Sequence, residues 1–396
     1  MDISTYIFIA VFAVIFIAVV VSLVKIIRHN KTRGNGDGQE ISEDPDRQTD
    51  EQVKNLSAEE LYEKACGLLD EDGLASDYDR WEKLMSAAAD KGYIPAVREW
   101  GVYNIGKNNA LGLELIIRAA DAGDDKAVQE LYELYYYGSH GGVPPIEKDR
   151  EKAAKFIKPY AANGSAVAQR LLGNYYYYEA DDEEKALEWY LKAADGGDCE
   201  AMVEAADIYA YKDDVEAQKA LLLKAAEKNY ADAEIDLGII SYETDDGTFE
   251  YDKAMYWYKR AAEHGSDTAC CYIGEMYLKG EGVEKDGEQA FKWFKRSYEE
   301  GSVCGTTMYA KCFMEGIGVA QDKEKGIKLY KEAAEYDSDA QYALGICYLE
   351  GNGVKKDKEK AIDYLKKAAN NNIESQEAKD KLAELCASGE IDKDSL

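Results

Sequence analysis

The stretch AQYALGICYLEGNGVKKDKEKAIDYLKKAA, residues 340–369, decides the fold. Ala340, Leu344 and Cys347 recur at intervals of four and three, which puts them on one face of a helix. Gly345 follows the large apolar residue, and a small side chain there lets a second helix approach closely. Gly351-Asn352-Gly353-Val354 interrupts the pattern, with glycines that permit positive φ where the chain reverses. Asp357 then stands where it can cap free N–H groups at the start of a second helix. That helix reads Lys360-Ala361, the bulky pair Tyr364-Leu365, and Ala368-Ala369. The stretch therefore encodes two antiparallel helices.

The same phrases recur through most of the chain. A small residue, with a large apolar residue four positions on and Gly or Ala after it, appears at Ala96, Ala168, Ala201, Ala233, Ala269 and Ala340. Weaker copies start at Ala127, Gly305 and Ala378, and successive copies lie 31 to 41 residues apart. The second phrase recurs as Lys185-Ala186 with Trp189-Tyr190 and Ala193-Ala194, and as Lys253-Ala254 with Trp257-Tyr258 and Ala261-Ala262. Gly280-Glu281-Gly282-Val283 and Gly316-Ile317-Gly318-Val319 repeat the loop, with Asp286 and Asp322 as the matching cap positions. Self-similarity at this period is the mark of a repeat architecture, in which each unit packs only on its neighbours.

These phrases, in register from Ala233 to Asn372, resemble the SEL-1-like repeat family, relatives of the tetratricopeptide repeats. The resemblance covers about Ser57 to Ser388. It implies an all-α, right-handed α/α superhelical solenoid of about nine helix pairs, closed by a last helix near Ala378 to Ala387. It also implies a non-catalytic scaffold or adaptor that docks a peptide or protein on a concave face lined by the first helices. The units at the N-terminal end and at Cys199 diverge from the pattern, and the unit at Ala127 has an expanded loop from Gly138 to Pro145. A cysteine-rich secreted branch of the family bridges the two helices of each repeat. Here all eight cysteines fall in first helices, so that bridge has no partner.

The N-terminus reads differently. Residues 3–24 carry no charge and are long enough to cross a hydrocarbon core of about 30 Å as one transmembrane helix. Lys25, Arg28, Lys31 and Arg33 follow the span, against Asp2 alone before it. The positive-inside rule then expects a single-pass protein with its repeat domain in the cytoplasm. Residues 25–56 form a basic collar and a polar, glycine-containing linker, residues 57–388 the solenoid, and residues 389–396 a tail.

Composition narrows the function. The 396-residue chain holds 48 Lys and Arg against 78 Asp and Glu, a formal charge of −30. Nucleic acid is an unsuitable ligand for such a surface, and a basic protein partner is favoured. With no CxxC pair and 3 histidines, no standard zinc spacing exists, and no metal or cofactor is expected. A cytoplasmic domain should keep its cysteines as thiols. Gly101 to Lys107 imitates a phosphate loop, but Asn108 replaces the Ser or Thr and no strand precedes it. Ser22-Leu-Val-Lys25 is the one Ser-x-x-Lys phrase and lies at the apolar span. The remaining alternatives are an outward-facing envelope or carbohydrate-binding protein with inverted topology, and a hydrolase like those of the family's cysteine-rich branch.

The 31 tyrosines point to a binding face. Some occupy repeat core positions. Tyr136, Tyr137, Tyr177, Tyr178, Tyr211 and Tyr242 lie near the ends of first helices, where the resemblance expects a concave aromatic ladder. Tyr offers apolar area and a hydroxyl at low entropic cost. Glu133, Asp207, Glu243 and Glu275 should lie beside them and favour a basic ligand.

Overall fold

The computed structural model describes residues 55–68, 75–139, 141–242, 248–370 and 375–388. The expected span 3–24, the collar residues Lys25, Arg28, Lys31 and Arg33, the tail 389–396 and Glu243 lie outside these. Among the described residues, no helix is long and apolar enough to cross a membrane.

The described residues form nineteen helices. The first helices of the units are α1 Ala58–Cys66, α3 Ile94–Asn104, α5 Asp125–Tyr137, α7 Ala166–Tyr178, α9 Cys199–Tyr211, α11 Ala231–Tyr242, α13 Asp267–Lys279, α15 Val303–Glu315 and α17 Ser338–Glu350. Their partners are α2 Ala75–Asp90, α4 Asn109–Asp121, α6 Arg150–Ala162, α8 Glu183–Asp195, α10 Val215–Ala226, α12 Tyr251–Glu263, α14 Gly287–Glu299, α16 Lys323–Ala333 and α18 Lys358–Ala369. The last helix, α19 Gln376–Ala387, packs on α18. Each helix packs on the next, and first helices of neighbouring units also touch, as α5 does α7 and α13 does α15. The solenoid is thus a one-dimensional stack with its first helices drawn together.

Local chemistry sets the helix ends. Asp286, Asp322 and Asp357 cap α14, α16 and α18, accepting from the backbone N–H of Gln289, Lys325 and Lys360 at 3.1, 3.0 and 3.1 Å. Hydrogen bonds from the Lys360 backbone hold the Asp357 carboxyl below its ordinary range. Gly280 closes α13 at φ 83°, a left-handed conformation that a side chain would strain.

The glycine of the first phrase has a more specific role than close approach of two backbones. It makes a seat for the second residue of the bulky pair across the unit. A Cβ on Gly173 or Gly274 would come within 2.5 Å of the Tyr190 or Phe294 ring, and Gly238 faces Tyr258 in the same way. Tyr190 and Phe294 are fully buried. Ile116 on Gly101 and Leu365 on Gly345 fill the same seat without a ring. The first residue of each pair stays half-buried, with Lys192, Arg260 and Arg296 over Trp189, Trp257 and Trp293 at 4.0, 5.2 and 5.6 Å.

Two sets of polar ties join units. Arg118, Arg260 and Arg296 each donate to a carbonyl at the end of the preceding second helix: Ala89, Ala226 and Ala262, at 2.9, 2.9 and 2.6 Å. Each carbonyl lies at the C-terminal end of its helix, where it also accepts from a backbone N–H of the following turn, and a cation there complements the helix dipole. The other set lies two residues after the small residue of the first phrase and reaches the start of the next first helix. Arg98 pairs with Asp124 at 2.8 Å, Arg170 with Asp198 at 3.1 Å and Glu200 at 2.9 Å, and the Thr307 hydroxyl donates to Asp337.

The same position in α13 holds Cys271, which is bonded to Cys304 of α15. This corrects the expectation that all the cysteines are thiols. Both residues lie in first helices, as the sequence placed them, but the junction between units brings their Cα atoms to 6.7 Å.

The seat yields a prediction. Gly274→Ala should lower the urea midpoint, by about 1–3 kcal/mol of overpacking. A Gly→Ala change at an open helical position would instead raise helix propensity by about 1 kcal/mol. An unchanged or higher midpoint would show that the ring does not need the seat.

Candidate functional site

The first helices present a second face, away from the seats, and its acids run from unit to unit. Glu200, Glu204 and Asp207 follow at intervals of four and three on α9, and Asp232 and Asp236 at an interval of four on α11. Glu130 holds the position in α5 that Glu204 holds in α9 and Asp236 in α11. Glu204 and Asp236 are half-buried, and no cation bonds to either among the described residues. Arg170 acts on Glu204 from a distance but is engaged by Asp198 and Glu200.

Burial, helped by Asp207 and Glu200, pushes the Glu204 carboxyl up to about 7. Burial, helped by Asp207 and Asp232, pushes Asp236 to about 7 as well. Burial and then Glu133 raise Glu130. Asp207 thus links the acids of α9 to those of α11.

The expected aromatic residues divide into two groups. Tyr177, Tyr178 and Tyr211 join the acids: burial raises the Tyr177 and Tyr178 hydroxyls, and Glu204 and Asp207 act on both. Tyr178 is 43% exposed and Tyr211 77%. Tyr136 instead donates to Glu179 of the next unit at 2.6 Å, with Arg150 over its ring, and Tyr242 donates to Glu281. Tyr137 stands edge-on to Tyr136, and burial and Glu133 raise its hydroxyl. Glu133 accepts from Gln129 at 2.9 Å, and Glu275 pairs with Lys279 at 3.2 Å.

The ladder expected to run from unit to unit is not the arrangement found. The ring contacts of the expected tyrosines lie within a unit: Tyr136 with Tyr137, Tyr177 with Tyr178, Tyr242 with Phe249 and Tyr251. Rings do meet across units elsewhere, Tyr258 with Tyr272 at 5.0 Å and Tyr298 with Tyr309 at 5.1 Å, whereas from Tyr136 to the next unit the contact is made by a carboxylate, Glu179.

Sequence reading missed Glu204 and Asp236. The signal available was an acid repeated three positions after the small residue in the first helices α5, α9 and α11, at Glu130, Glu204 and Asp236.

Other features do not form a reactive centre. Lys107 of the phosphate-loop look-alike lies over the Tyr103 ring at 3.6 Å and pairs with Glu82 at 3.3 Å. A cleft of about 820 Å³ beside α6 includes Asp121, Lys152, Phe156 and Tyr160, away from the acidic band. Cys271, Glu275 and Cys304 converge within 4.8 Å, a spacing that would suit a metal ion. The two sulfurs are bonded to each other, which leaves no thiolate to act as ligand.

Comparison with known proteins gives the repeat its name. The Sel1 repeat model matches residues 97–124, 133–165, 166–198, 231–266, 268–302, 306–335 and 338–373, more than half of the chain. The chain belongs to the Sel1 repeat family. The Sel1-repeat-containing protein YjcO of Escherichia coli K12 is 31% identical over 148 residues, 36% of this chain and 64% of that relative, so the match spans less than two thirds of its length.

Two solved structures share the fold, each at 27% identity and a TM-score of 0.53. One is c5321, described as a protective antigen of uropathogenic Escherichia coli displaying an SLR fold, over 84% of this chain and 72% of that one. The other is a Sel1 repeat protein from Oxalobacter formigenes, over 62% of this chain and 98% of that one. Residues 199–230 fall between matched Sel1 segments, and they carry Glu200, Glu204, Asp207 and Tyr211.

The raised acids set a pH dependence. A folded state that favours the protonated carboxyl gains most from Glu204 and Asp236 below their unfolded values, and this contribution is lost as pH rises through about 7. The urea midpoint should therefore carry a falling component between the ordinary carboxylate range and pH 7. Glu204→Gln with Asp236→Asn should flatten that component. A pH profile identical to wild type would refute the assignment.

Proposed function

We propose that this Sel1 repeat protein is a non-catalytic scaffold that holds a basic peptide or protein segment on the acidic and aromatic face of α7, α9 and α11. The observation that carries the reading is two half-buried acids with no cation bonded to them among the described residues, Glu204 near Tyr177 and Tyr178 and Asp236 near Tyr258 and Tyr272, joined through Asp207. A bound Lys or Arg would supply that cation, and the neighbouring rings would cover its aliphatic stem. The excess of acid over base would steer such a partner and speed its approach. Departure from the Sel1 pattern in the unit bearing most of these acids agrees with a specialised surface.

Membrane anchoring belongs to the same proposal. It rests on the apolar length of residues 3–24 and the basic residues after them, which favour a cytoplasmic repeat domain. The Cys271–Cys304 bond is the observation that favours the alternative, an outward-facing envelope protein in an oxidising compartment.

Partners captured from the native cell on the wild-type chain should weaken with added salt and with proton concentration below pH 7. Glu204→Gln plus Asp236→Asn should reduce retention by about tenfold or more, as truncating a desolvated ion pair does. Tyr177→Ala plus Tyr178→Ala should lose the same partners. An unchanged set of partners in both double variants would refute this face as the docking site.

A further inference from the structure

We propose that Cys271 and Cys304 form a reversible dithiol–disulfide site, which reacts with low-molecular-weight disulfides of the glutathione class and covalently clips two repeat units. Three observations converge on this pair. First, the two residues are asymmetric: Cys271 is fully buried, whereas Cys304 is exposed on the second residue of α15. An external disulfide can reach one sulfur and not the other, which is the arrangement of an attacking and a resolving thiol.

Second, the remaining core cysteines are unsuited to the reaction. Burial pushes the thiols of Cys270 and Cys312 up to about 12 and that of Cys347 to about 11. Third, the bond occupies the inter-unit tie position where Arg98, Arg170 and Thr307 use ion pairs and a hydrogen bond. Breaking it leaves two packed units, because α14 lies between α13 and α15 and packs on both.

The chemistry balances. The Cys304 thiolate attacks one sulfur of the glutathione disulfide, forming a mixed disulfide and releasing one glutathione thiolate. The Cys271 thiolate then attacks the Cys304 sulfur and releases the second. Two protein thiols lose two electrons and two protons, and the disulfide becomes two thiols. The clip closes beside Glu275, one turn along α13 from Cys271. A domain on the cytoplasmic side and a disulfide within it are compatible when the bond forms only under oxidising stress.

The test uses the full chain in its native cell, with thiols trapped by acid and alkylation before and after a disulfide stress. Peptide mapping should find the pair mostly as dithiol in growing cells, oxidised after stress, and reduced again on recovery. With the purified chain, Cys271→Ser treated with glutathione disulfide should accumulate a glutathione adduct on Cys304, and Cys304→Ser should leave Cys271 unmodified. Hydrogen exchange across α13 and α15 should slow by about tenfold on oxidation.

A pair oxidised under every condition would overturn the proposal in favour of a permanent cross-link. A pair that stays dithiol in all glutathione mixtures would overturn it outright. So would stoichiometric zinc on the purified reduced chain that blocks oxidation, which would make Cys271, Glu275 and Cys304 a metal site.

Discussion

Five of the nine units depend on a large side chain sunk onto a glycine, which has almost none. Gly173 under Tyr190 and Gly274 under Phe294 fix how the two helices of a unit cross, since the ring reaches the backbone of its neighbour. Such a contact tolerates little change in volume on either side. Once it is made, the opposite face of each first helix is free of packing duty within its unit. The acids and exposed tyrosines of α7, α9 and α11 occupy that freed face. The seat is therefore what turns a helix pair into a platform, and the recurrence of the pair extends the platform along the array.

Between units the same register does different work. Two residues beyond the small residue, the chain reaches for the start of the next first helix, with guanidinium at Arg98 and Arg170, hydroxyl at Thr307 and thiol at Cys271. The target is geometrically constant, because the start of the next helix always arrives at the same place. Its chemistry varies, so each junction answers to a different property of the surroundings: ionic strength, proton activity or redox poise.

Legibility followed the range of the interactions. Helix pairs and their Asp caps could be read because every participant lies within a few residues: Asp286 meets Gln289, Asp357 meets Lys360. The partnership of Gly274 with Phe294 was partly visible, as two phrases at constant spacing, but the sequence did not say which of Trp293 and Phe294 fills the seat. The acid band was harder. Glu133 and Asp207 drew attention, whereas Glu204 and Asp236 did not, because an acid in a helix carries no mark of how far its neighbours bury it. The sulfur bond was missed for a related reason. Excluding a bridge within a repeat says nothing about residues 33 apart in adjacent repeats, and their encounter depends on how one unit stacks on the next. The ladder is absent for a different reason: rings of neighbouring units do stack where the second helix meets the next first helix, as Tyr258 with Tyr272, but Tyr136, Tyr177 and Tyr242 find their ring partners inside their own unit.

Ties of one register and several chemistries have a mechanical consequence. Tension along the array loads its junctions in series, and a series fails at its weakest member. Among the four ties, the hydroxyl–carboxylate contact between α15 and α17 yields before the covalent one between α13 and α15. The units on either side of the sulfurs then travel as one rigid block in an otherwise extensible chain. Cutting that bond would convert the block into two links, and so change the compliance of the whole array through a single pair of atoms.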